Sequence, residues 1–187
     1  MIKRALDIVA ALGGMAVLSL PALAIAVIVK LTSSGPILYW SDRVGRDNQI
    51  FSMPKFRTMR IDTPAVATHL LDDPAKYLTP VGPFLRRTSL DELPQLWSIL
   101  TGDMTLVGPR PALFNQADLV RLRTEAGVHV LAPGLTGWAQ ISGRDELSIP
   151  AKVVLDSYYL RHRSLAFDLK VLALTLVKVA RREGVKH

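Results

Sequence analysis

The chain has 187 residues, of which 49% are apolar and 21% charged, and its formal net charge is +7. This length suits one domain of ordinary size, and the apolar content excludes disorder over most of the chain. The sequence contains no cysteine, which excludes a disulfide scaffold, a zinc–thiolate site and thiol catalysis. The basic surplus predicts an anionic partner, which is nucleic acid, phospholipid headgroups or a phosphorylated substrate.

The first element is an uncharged apolar run of 22 residues, Ile8–Val29. At about 1.5 Å per residue, one helix of this length spans a hydrocarbon core of about 30 Å. Pro21 removes a backbone donor inside the run, and Ser19 is placed to bond a freed carbonyl. Basic residues flank the run on both sides, which the positive-inside rule does not expect of a spanning helix. The pattern favours a re-entrant helix–break–helix whose two ends share one face, and an ordinary signal anchor is the alternative.

The rest of the chain predicts a second unit with short elements. A break rich in serine, glycine and proline separates residues 1–33, the membrane segment, from residues 34–187. Two apolar-rich runs, 36–40 and 50–56, flank a turn and predict a β-hairpin. Residues 60–80 contain three prolines and predict an irregular surface loop. Apolar periodicity predicts helices near 89–100, 115–127 and 149–161.

A last helix is predicted over residues 167–182. Its four basic residues fall within an arc of about 120°, and apolar residues cover much of the remaining surface. This pattern suits an amphipathic helix lying at the surface of an anionic membrane, and a packed core helix with a basic solvated face fits equally well. The elements together predict a mainly α, monotopic membrane protein with a small β-hairpin and interfacial amphipathic helices. The four basic residues are Lys170, Lys178, Arg181 and Arg182.

The chemistry-bearing residues form a dense block in the middle of the chain. The four histidines have no metal-ligand spacing, and neither a P-loop nor a G-x-G-x-x-G motif is present. Adjacent Asp91 and Glu92 follow Arg86 closely, an arrangement that can hold a phosphate and a divalent cation together. One carboxylate can attack phosphorus while the other holds the metal. The structural alternative is a capping box, in which Ser89 and Glu92 simply begin a helix.

Two further segments are candidates for ligand contact. A G-P-R-P sequence places Arg110 between Pro109 and Pro111, whose rings fix the backbone and suit a phosphate clamp. The alternative is a rigid surface turn with a solvated arginine. Residues 133–140 form a glycine-rich turn that leads to Arg144 and can bring backbone close to a ligand. The alternative there is a tight turn whose tryptophan packs in the core.

The ordered motifs resemble one known family. With the apolar N-terminus, KFRTM at 55–59, SLDELPQLW at 89–97, GDMTLVGPRP at 102–111 and PGLTGWAQISGR at 133–144 resemble the bacterial sugar transferases. These are monotopic phosphoglycosyl transferases that act on polyprenol phosphate. The resemblance covers essentially the whole chain, in the family's minimal form of membrane hairpin and catalytic domain. The family's helix break is usually Ser-Pro in direct succession, whereas here Leu20 intervenes.

The resemblance implies transfer of a sugar 1-phosphate from a UDP-sugar to undecaprenyl phosphate, with release of UMP. This is the first membrane step of bacterial glycoconjugate assembly, at the cytoplasmic face of the inner membrane. By the match, Asp91 is the nucleophile that forms a phosphosugar–aspartyl intermediate, and Glu92 is a Mg²⁺ ligand. Arg110 matches the phosphate-binding arginine, while Arg86 and Arg144 fall at basic positions of the same site.

Other interpretations remain alongside this one. Segments 63–68 and 144–147 are similar to family members that use N-acetylated hexosamines. A non-catalytic, membrane-anchored adaptor for anionic lipid is the main alternative, although it has no need for Asp91, Glu92 and Arg110 together. Nucleic-acid binding is disfavoured, because the basic residues are spread along the chain without a recognition motif. The pathway served and self-association into a homo-oligomer are left open.

Overall fold

The computed structural model describes residues 2–64, 72–143 and 147–181, with side chains of the last helix as far as Lys178. The protein is mainly helical with two small sheets. The helices are α1 (Ile2–Thr32), α2 (Gly82–Thr88), α3 (Gln95–Thr101), α4 (Ala117–Glu125), α5 (Trp138–Ser142), α6 (Ile149–His162) and α7 (Leu165–Arg181). The strands are β1 (Leu38–Val44), β2 (Ile50–Phe56), β3 (Thr105–Val107), β4 (Ala112–Leu113) and β5 (Gly134–Thr136).

The N-terminal helix differs from the prediction in one respect, because α1 continues through Pro21 as one helix of 31 residues. The predicted break at Ser19 and Pro21 is therefore corrected to an unbroken helix with an internal proline. A proline removes a single hydrogen bond, and the many remaining bonds of so long an apolar helix keep it helical. Ser19 Oγ donates to the carbonyl of Ala16 at 2.8 Å, and not to that of Val17, which Pro21 frees. The re-entrant placement itself stays a prediction.

Both ends of α1 are attached to the rest of the protein by polar contacts. Near the start, Arg4 donates to backbone carbonyls at the end of α3. One turn later, Asp7 accepts from Thr105 Oγ1 at 2.6 Å. Beyond the end of the helix, the Arg57 guanidinium donates to the carbonyl of Ser34 at 2.6 Å. The catalytic candidates and α1 therefore belong to one packed structure.

The two sides of α1 have different surroundings. Ala11, Ile25 and Val29 are buried against α3, β2 and α2, in two separate clusters of the core. On the other side, Val17 and Leu20 are 78% and 77% exposed. Among the described residues, α1 is the helix long and apolar enough to cross a membrane. Its exposed apolar side is the surface that hydrocarbon would cover.

The predicted hairpin is confirmed as β1 and β2, which pair from Leu38↔Phe56 to Val44↔Ile50. The strand order is β2–β1–β4, so β2 lies at an edge, where Pro54 is tolerated. A second, parallel pair joins β3 to β5 and was not predicted. The later helices α4, α6 and α7 lie within a few residues of the predicted ranges. Helix α2 falls in a stretch for which no helix was predicted.

The last helix is packed into the core on one side and exposes apolar residues on another, while its placement at a membrane surface stays a prediction. Val171 is fully buried against α5 and α6, so one stripe of α7 is part of the core. Leu169 and Leu176 are 62% and 72% exposed, which leaves a separate apolar stripe on the surface. Of the predicted basic residues, Lys170 lies 5.7 Å from the centre of the Trp138 ring. The side chains of Arg181 and Arg182 lie outside the described residues.

Candidate active site

The two adjacent carboxylates lie in a tight turn between α2 and α3. Ser89 ends α2 in the left-handed conformation, with φ 56°, and a short 3₁₀ turn follows over Leu90–Glu92. The Ser89 side chain makes no capping hydrogen bond, and α3 begins only at Gln95, after Pro94. The capping-box alternative is therefore wrong. Glu92 does not complete a capping box because its side chain binds Lys55 and Arg110 instead.

Glu92 is held by two cations. Its Oε1 atom accepts from Lys55 Nζ at 2.9 Å and from Arg110 Nη2 at 3.0 Å, and its side chain is only 14% exposed. Burial alone would raise the pKa of this carboxyl, but the charges and hydrogen bonds of Lys55 and Arg110 hold the pKa below its ordinary value. Glu92 is therefore ionised at physiological pH.

Asp91, next in the chain, experiences the opposite shift. The residue is 8% exposed, and burial raises the pKa of its carboxyl above the ordinary value. The negative charge of Glu92 adds to the rise, while Lys55, Arg86 and Arg110 oppose it. Neighbouring carboxyls with pKa values displaced in opposite directions are typical of two different chemical roles. A poorly hydrated carboxylate among cations suits attack on an anionic phosphate.

Two more arginines contribute to this positive environment. Arg86 Nε donates to Thr58 Oγ1 at 3.0 Å, and burial lowers the pKa of Arg86 while Asp91 opposes the shift. Burial, then the charge of Arg110, lowers the pKa of Arg43 to about 10, so this guanidinium still carries a proton at neutral pH. The structure thus brings Arg86 and Arg110 to the carboxylates, as the sequence predicted.

A buried ion pair holds the backbone of the Arg110 segment in place. Arg123 of α4 donates to the Arg110 carbonyl at 2.8 Å and to Asp156 Oδ2 of α6 at 2.7 Å. The side chains of this pair are 11% and 2% exposed. Sequence reasoning did not identify this support, since nothing local links residues of α4 and α6 to the G-P-R-P motif.

The prolines of that motif act through their backbone. The Pro109 carbonyl accepts from Gly134 N at 2.8 Å, and the Pro111 carbonyl accepts from Arg43 Nη1 at 3.3 Å. A Cβ on Gly134 would lie 2.1 Å from Gly108 N, so only glycine permits this approach of two chains. The glycine-rich turn is therefore a packing element that supports the Arg110 segment, with its tryptophan partly buried in the core.

Lys55 is the functional candidate that sequence reasoning missed. It was quoted within a motif without a role, although a lone lysine between Pro54 and Phe56 in an apolar strand is a signal of a buried partner. Arg43 is a second candidate to which sequence reasoning gave no role. The predicted site residue Arg144 lies outside the described residues, as do 65–68 and 144–146 of the segments compared with hexosamine-specific members.

The carboxylates of the site are also candidate ligands for Mg²⁺. Among the residues with described positions, no group of three or more histidine, cysteine or acidic side chains forms a ready-made metal cage. Mg²⁺ is usually held by one or two carboxylates together with substrate phosphates. Asp91 and Glu92 are adjacent in a buried turn, so they can provide the one or two carboxylates that hold Mg²⁺ together with substrate phosphates.

Comparison with known proteins identifies the family. Residues 1–182 match the family model of the bacterial sugar transferases. The chain is 37% identical to a UDP-galactose-lipid carrier transferase of Erwinia amylovora and 40% identical to a UDP-glucose:undecaprenyl-phosphate glucose-1-phosphate transferase of Escherichia coli K12. These alignments cover 98% and 95% of the chain but only 41% and 40% of the relatives. An uncharacterized sugar transferase of Bacillus subtilis, EpsL, is 39% identical over the whole chain, which covers 91% of its length. The chain therefore belongs to the bacterial sugar transferase family.

Proposed function

We propose that the protein transfers a sugar 1-phosphate from a UDP-sugar to undecaprenyl phosphate and releases UMP. The observation that carries the proposal is the buried pair of adjacent carboxylates, Asp91 and Glu92, with Lys55 and Arg110 bonded to Glu92. The names of the Erwinia and Escherichia relatives, which specify a lipid carrier and undecaprenyl phosphate, support the choice of substrates. Both substrates carry phosphate, which agrees with the basic site.

The reaction proceeds through a covalent enzyme intermediate. A carboxylate oxygen of Asp91 attacks the sugar-bearing phosphorus of the UDP-sugar, and the bond from this phosphorus to the bridging oxygen breaks. The bridging oxygen leaves with UMP, and a phosphosugar–aspartyl anhydride remains on the protein. A phosphate oxygen of undecaprenyl phosphate then attacks the same phosphorus and restores the free carboxylate. One difficult reaction between two anions is thereby divided into two steps at one site.

The other residues stabilise charge. Arg86 and Arg110 hold the phosphates, and Lys55 keeps Glu92 in place and ionised. Glu92 would hold Mg²⁺ beside the phosphates of the donor, where the metal supplies charge neutralisation. Arg144 is proposed as a further phosphate ligand on the strength of the family match alone.

The reaction takes place at the cytoplasmic face of the bacterial inner membrane, with both ends of α1 on that face. Supporting this placement, Arg4 and Asp7 at one end of α1 and Ser34 beyond the other end all contact the same packed structure. Contacts of both ends of the helix with one folded unit favour placing both ends on the same side of the bilayer as the site. The exposed apolar stripe of α7, with Leu169 and Leu176, would rest at the same interface.

The reaction is tested by incubating purified protein with undecaprenyl phosphate, Mg²⁺ and a panel of UDP-sugars while UMP release is followed. We expect UMP release with one sugar class, N-acetylated hexosamines, and none in the absence of protein. Release with UDP-glucose or UDP-galactose instead would retain the reaction and correct the sugar. No release with any donor would favour the lipid-binding adaptor.

Membrane placement is tested with single cysteines at positions 2 and 34, since the native chain has none. In intact cells neither cysteine should react with an impermeant maleimide, and both should react after permeabilisation. Replacing Pro21 with leucine is expected to give a mixed population, because leucine restores the backbone hydrogen bond that proline removes and so favours a spanning helix, whereas Lys3 and Arg4 resist translocation. Labelling of position 2 in intact cells carrying native Pro21 would mean that α1 spans the membrane.

A further inference from the structure

A large apolar groove lies beside the candidate active site. It has a volume of about 880 Å³ and runs between the middle of α1, the β1–β2 hairpin and the start of α3. Its lining is almost entirely hydrocarbon and aromatic, with polar atoms from Ser19 and Lys30. Members of both buried clusters by which α1 packs line the groove, among them Leu96 of one cluster and Phe56 of the other. Representative lining residues are Leu18, Ala22, Ala26, Trp40 and Trp97.

The hairpin forms the wall between this groove and the charged site. Alternate residues of a strand face opposite sides, and the cross-strand pairs Leu38↔Phe56 and Trp40↔Pro54 line the groove. Lys55, between two of these positions, points to the other side and binds Glu92. The β1–β2 hairpin therefore presents apolar side chains to the groove on one face and Lys55 to the charged site on the other.

The groove also reaches the carboxylate turn directly. Leu93 and Pro94 line it, and Leu93 follows Glu92 in the chain, with consecutive Cα atoms about 3.8 Å apart. The turn packs against β2, which is the edge strand of its sheet. A ligand with an apolar tail and a phosphate head can therefore lie with its tail in the groove and its head beside Asp91.

We propose that this groove binds the isoprene units nearest the phosphate of the polyprenyl phosphate acceptor, an inference that rests on the proposed function. A lipid tail matches the apolar lining. Because the groove reaches the carboxylate turn with its surrounding cations, the phosphate at one end of such a lipid can lie beside them. The aromatic walls from Trp40 and Trp97 suit a branched, unsaturated chain. Helix α1 then has two roles. Its exposed side, with Val17 and Leu20, meets the bilayer, and its inner side covers the acceptor.

The test fills the groove with a larger side chain. Ala22→Phe places a ring in the groove, and Ala24→Phe, two residues away on the exposed side of the same helix, is the matched control. The ring takes space that the lipid tail would occupy, so KM for undecaprenyl phosphate should rise about tenfold or more. KM for the UDP-sugar should stay within about twofold, as should both KM values of the control.

A second variant, Trp97→Ala, removes an aromatic side chain of the groove that is 53% exposed. It should also raise KM for undecaprenyl phosphate without unfolding the protein.

Binding can be measured without turnover. Two of the three tryptophans, Trp40 and Trp97, line the groove, so Trp138→Phe leaves fluorescence from the groove alone. Titration with farnesyl phosphate should change this fluorescence saturably, and Ala22→Phe should abolish the change while Ala24→Phe preserves it. Inorganic phosphate should produce no such change.

The outcomes separate this inference from the proposed function. If the wild type releases no UMP with any donor, the proposed reaction fails, whatever the fluorescence shows. If the wild type is active but Ala22→Phe leaves KM for the acceptor unchanged, the groove is not the acceptor site. Equal competition by phosphatidylglycerol would assign the groove to bulk lipid. Conversion of an oligomer to a monomer by Ala22→Phe, with unchanged acceptor KM, would assign it to a second copy of the chain. Each of these last three results would overturn the inference.

Discussion

Two buried clusters of carboxylates and arginines in this protein use similar groups in different proportions. In one, Asp156 meets Arg123 through two N–H groups at 2.7 and 3.0 Å, so that one cation serves one carboxylate. In the other, Glu92 shares one oxygen between Lys55 and Arg110, and a second carboxylate lies beside it. In the balanced pair, which joins two helices, burial raises the pKa of the Asp156 carboxyl against the opposing charge of Arg123. In the unbalanced cluster, two adjacent carboxyls have pKa values displaced in opposite directions. The difference distinguishes a structural ion pair from a site prepared for an anionic substrate.

The strongest test of this distinction is Asp91→Asn, which removes a charge but little volume. Turnover should fall by about 10³-fold or more, because the amide cannot form the covalent intermediate. Burial raises the pKa of Asp91, so its ionisation costs stability above that pKa, and the cost disappears as pH falls through it. The variant should therefore unfold at a higher temperature than the wild type at pH 7, with a gain that shrinks in acid. Unfolding curves at several pH values and UMP release check both expectations, and wild-type turnover would exclude Asp91 as nucleophile.

Breaking the Arg123–Asp156 pair should have the reverse effect, with a large loss of stability and a small loss of turnover. Arg123→Met leaves Asp156 buried without its cation, which should lower the free energy of unfolding by about 3 kcal/mol. Turnover per folded molecule should fall by less than about tenfold, since Arg123 contacts only the backbone of Arg110. Arg121→Met, on the same helix and 60% exposed in its pair with Glu125, should change stability by less than about 0.5 kcal/mol. Equal stability of the two variants in thermal unfolding would contradict a structural role for Arg123.

A third prediction concerns Lys55→Met, which removes one of the two cations bonded to Glu92. The pKa of Glu92 is held down by Lys55 and Arg110 against burial, and Lys55 also lowers that of Asp91. Both carboxyls should therefore take up protons at higher pH in the variant. We expect turnover to fall by about 10- to 100-fold at neutral pH and further at pH 5. Lys76→Met is the control, since Lys76 is 77% exposed and pairs with Asp73. An unshifted acid limb in Lys55→Met would mean that Lys55 does not set these pKa values.

Local patterns predicted the elements whose signals are local. The hairpin and α6 followed from alternation and periodicity, and the grouping of Arg86 with the carboxylate pair followed from adjacency. Arg110 was added to this group only by the family resemblance. The break at Pro21 was wrong because a single missing hydrogen bond was given more weight than the helix around it. The helix start at Ser89 was wrong because its cap signal was outweighed by long-range pairing of Glu92.

The parts that sequence did not predict depend on contacts between distant residues. Lys55 and Glu92 are 37 residues apart, and Arg123 and Asp156 are 33 apart. The apolar groove arises only when α1 is laid across the hairpin, although each of its lining residues is ordinary in its own segment. Spacing along the chain carries no information on such arrangements, which depend on packing.

The central claim, that Asp91 becomes covalently modified, is tested most directly by intact mass spectrometry in the absence of acceptor. The protein is incubated with Mg²⁺ and its UDP-sugar, quenched in acid and weighed. The account predicts a stoichiometric gain of one sugar phosphate, located on the peptide that contains Asp91, with an equal amount of UMP released. The adduct should disappear on addition of undecaprenyl phosphate and should be absent from Asp91→Asn. An unmodified protein that still forms product when both substrates are present, or an adduct on another residue, would contradict the account.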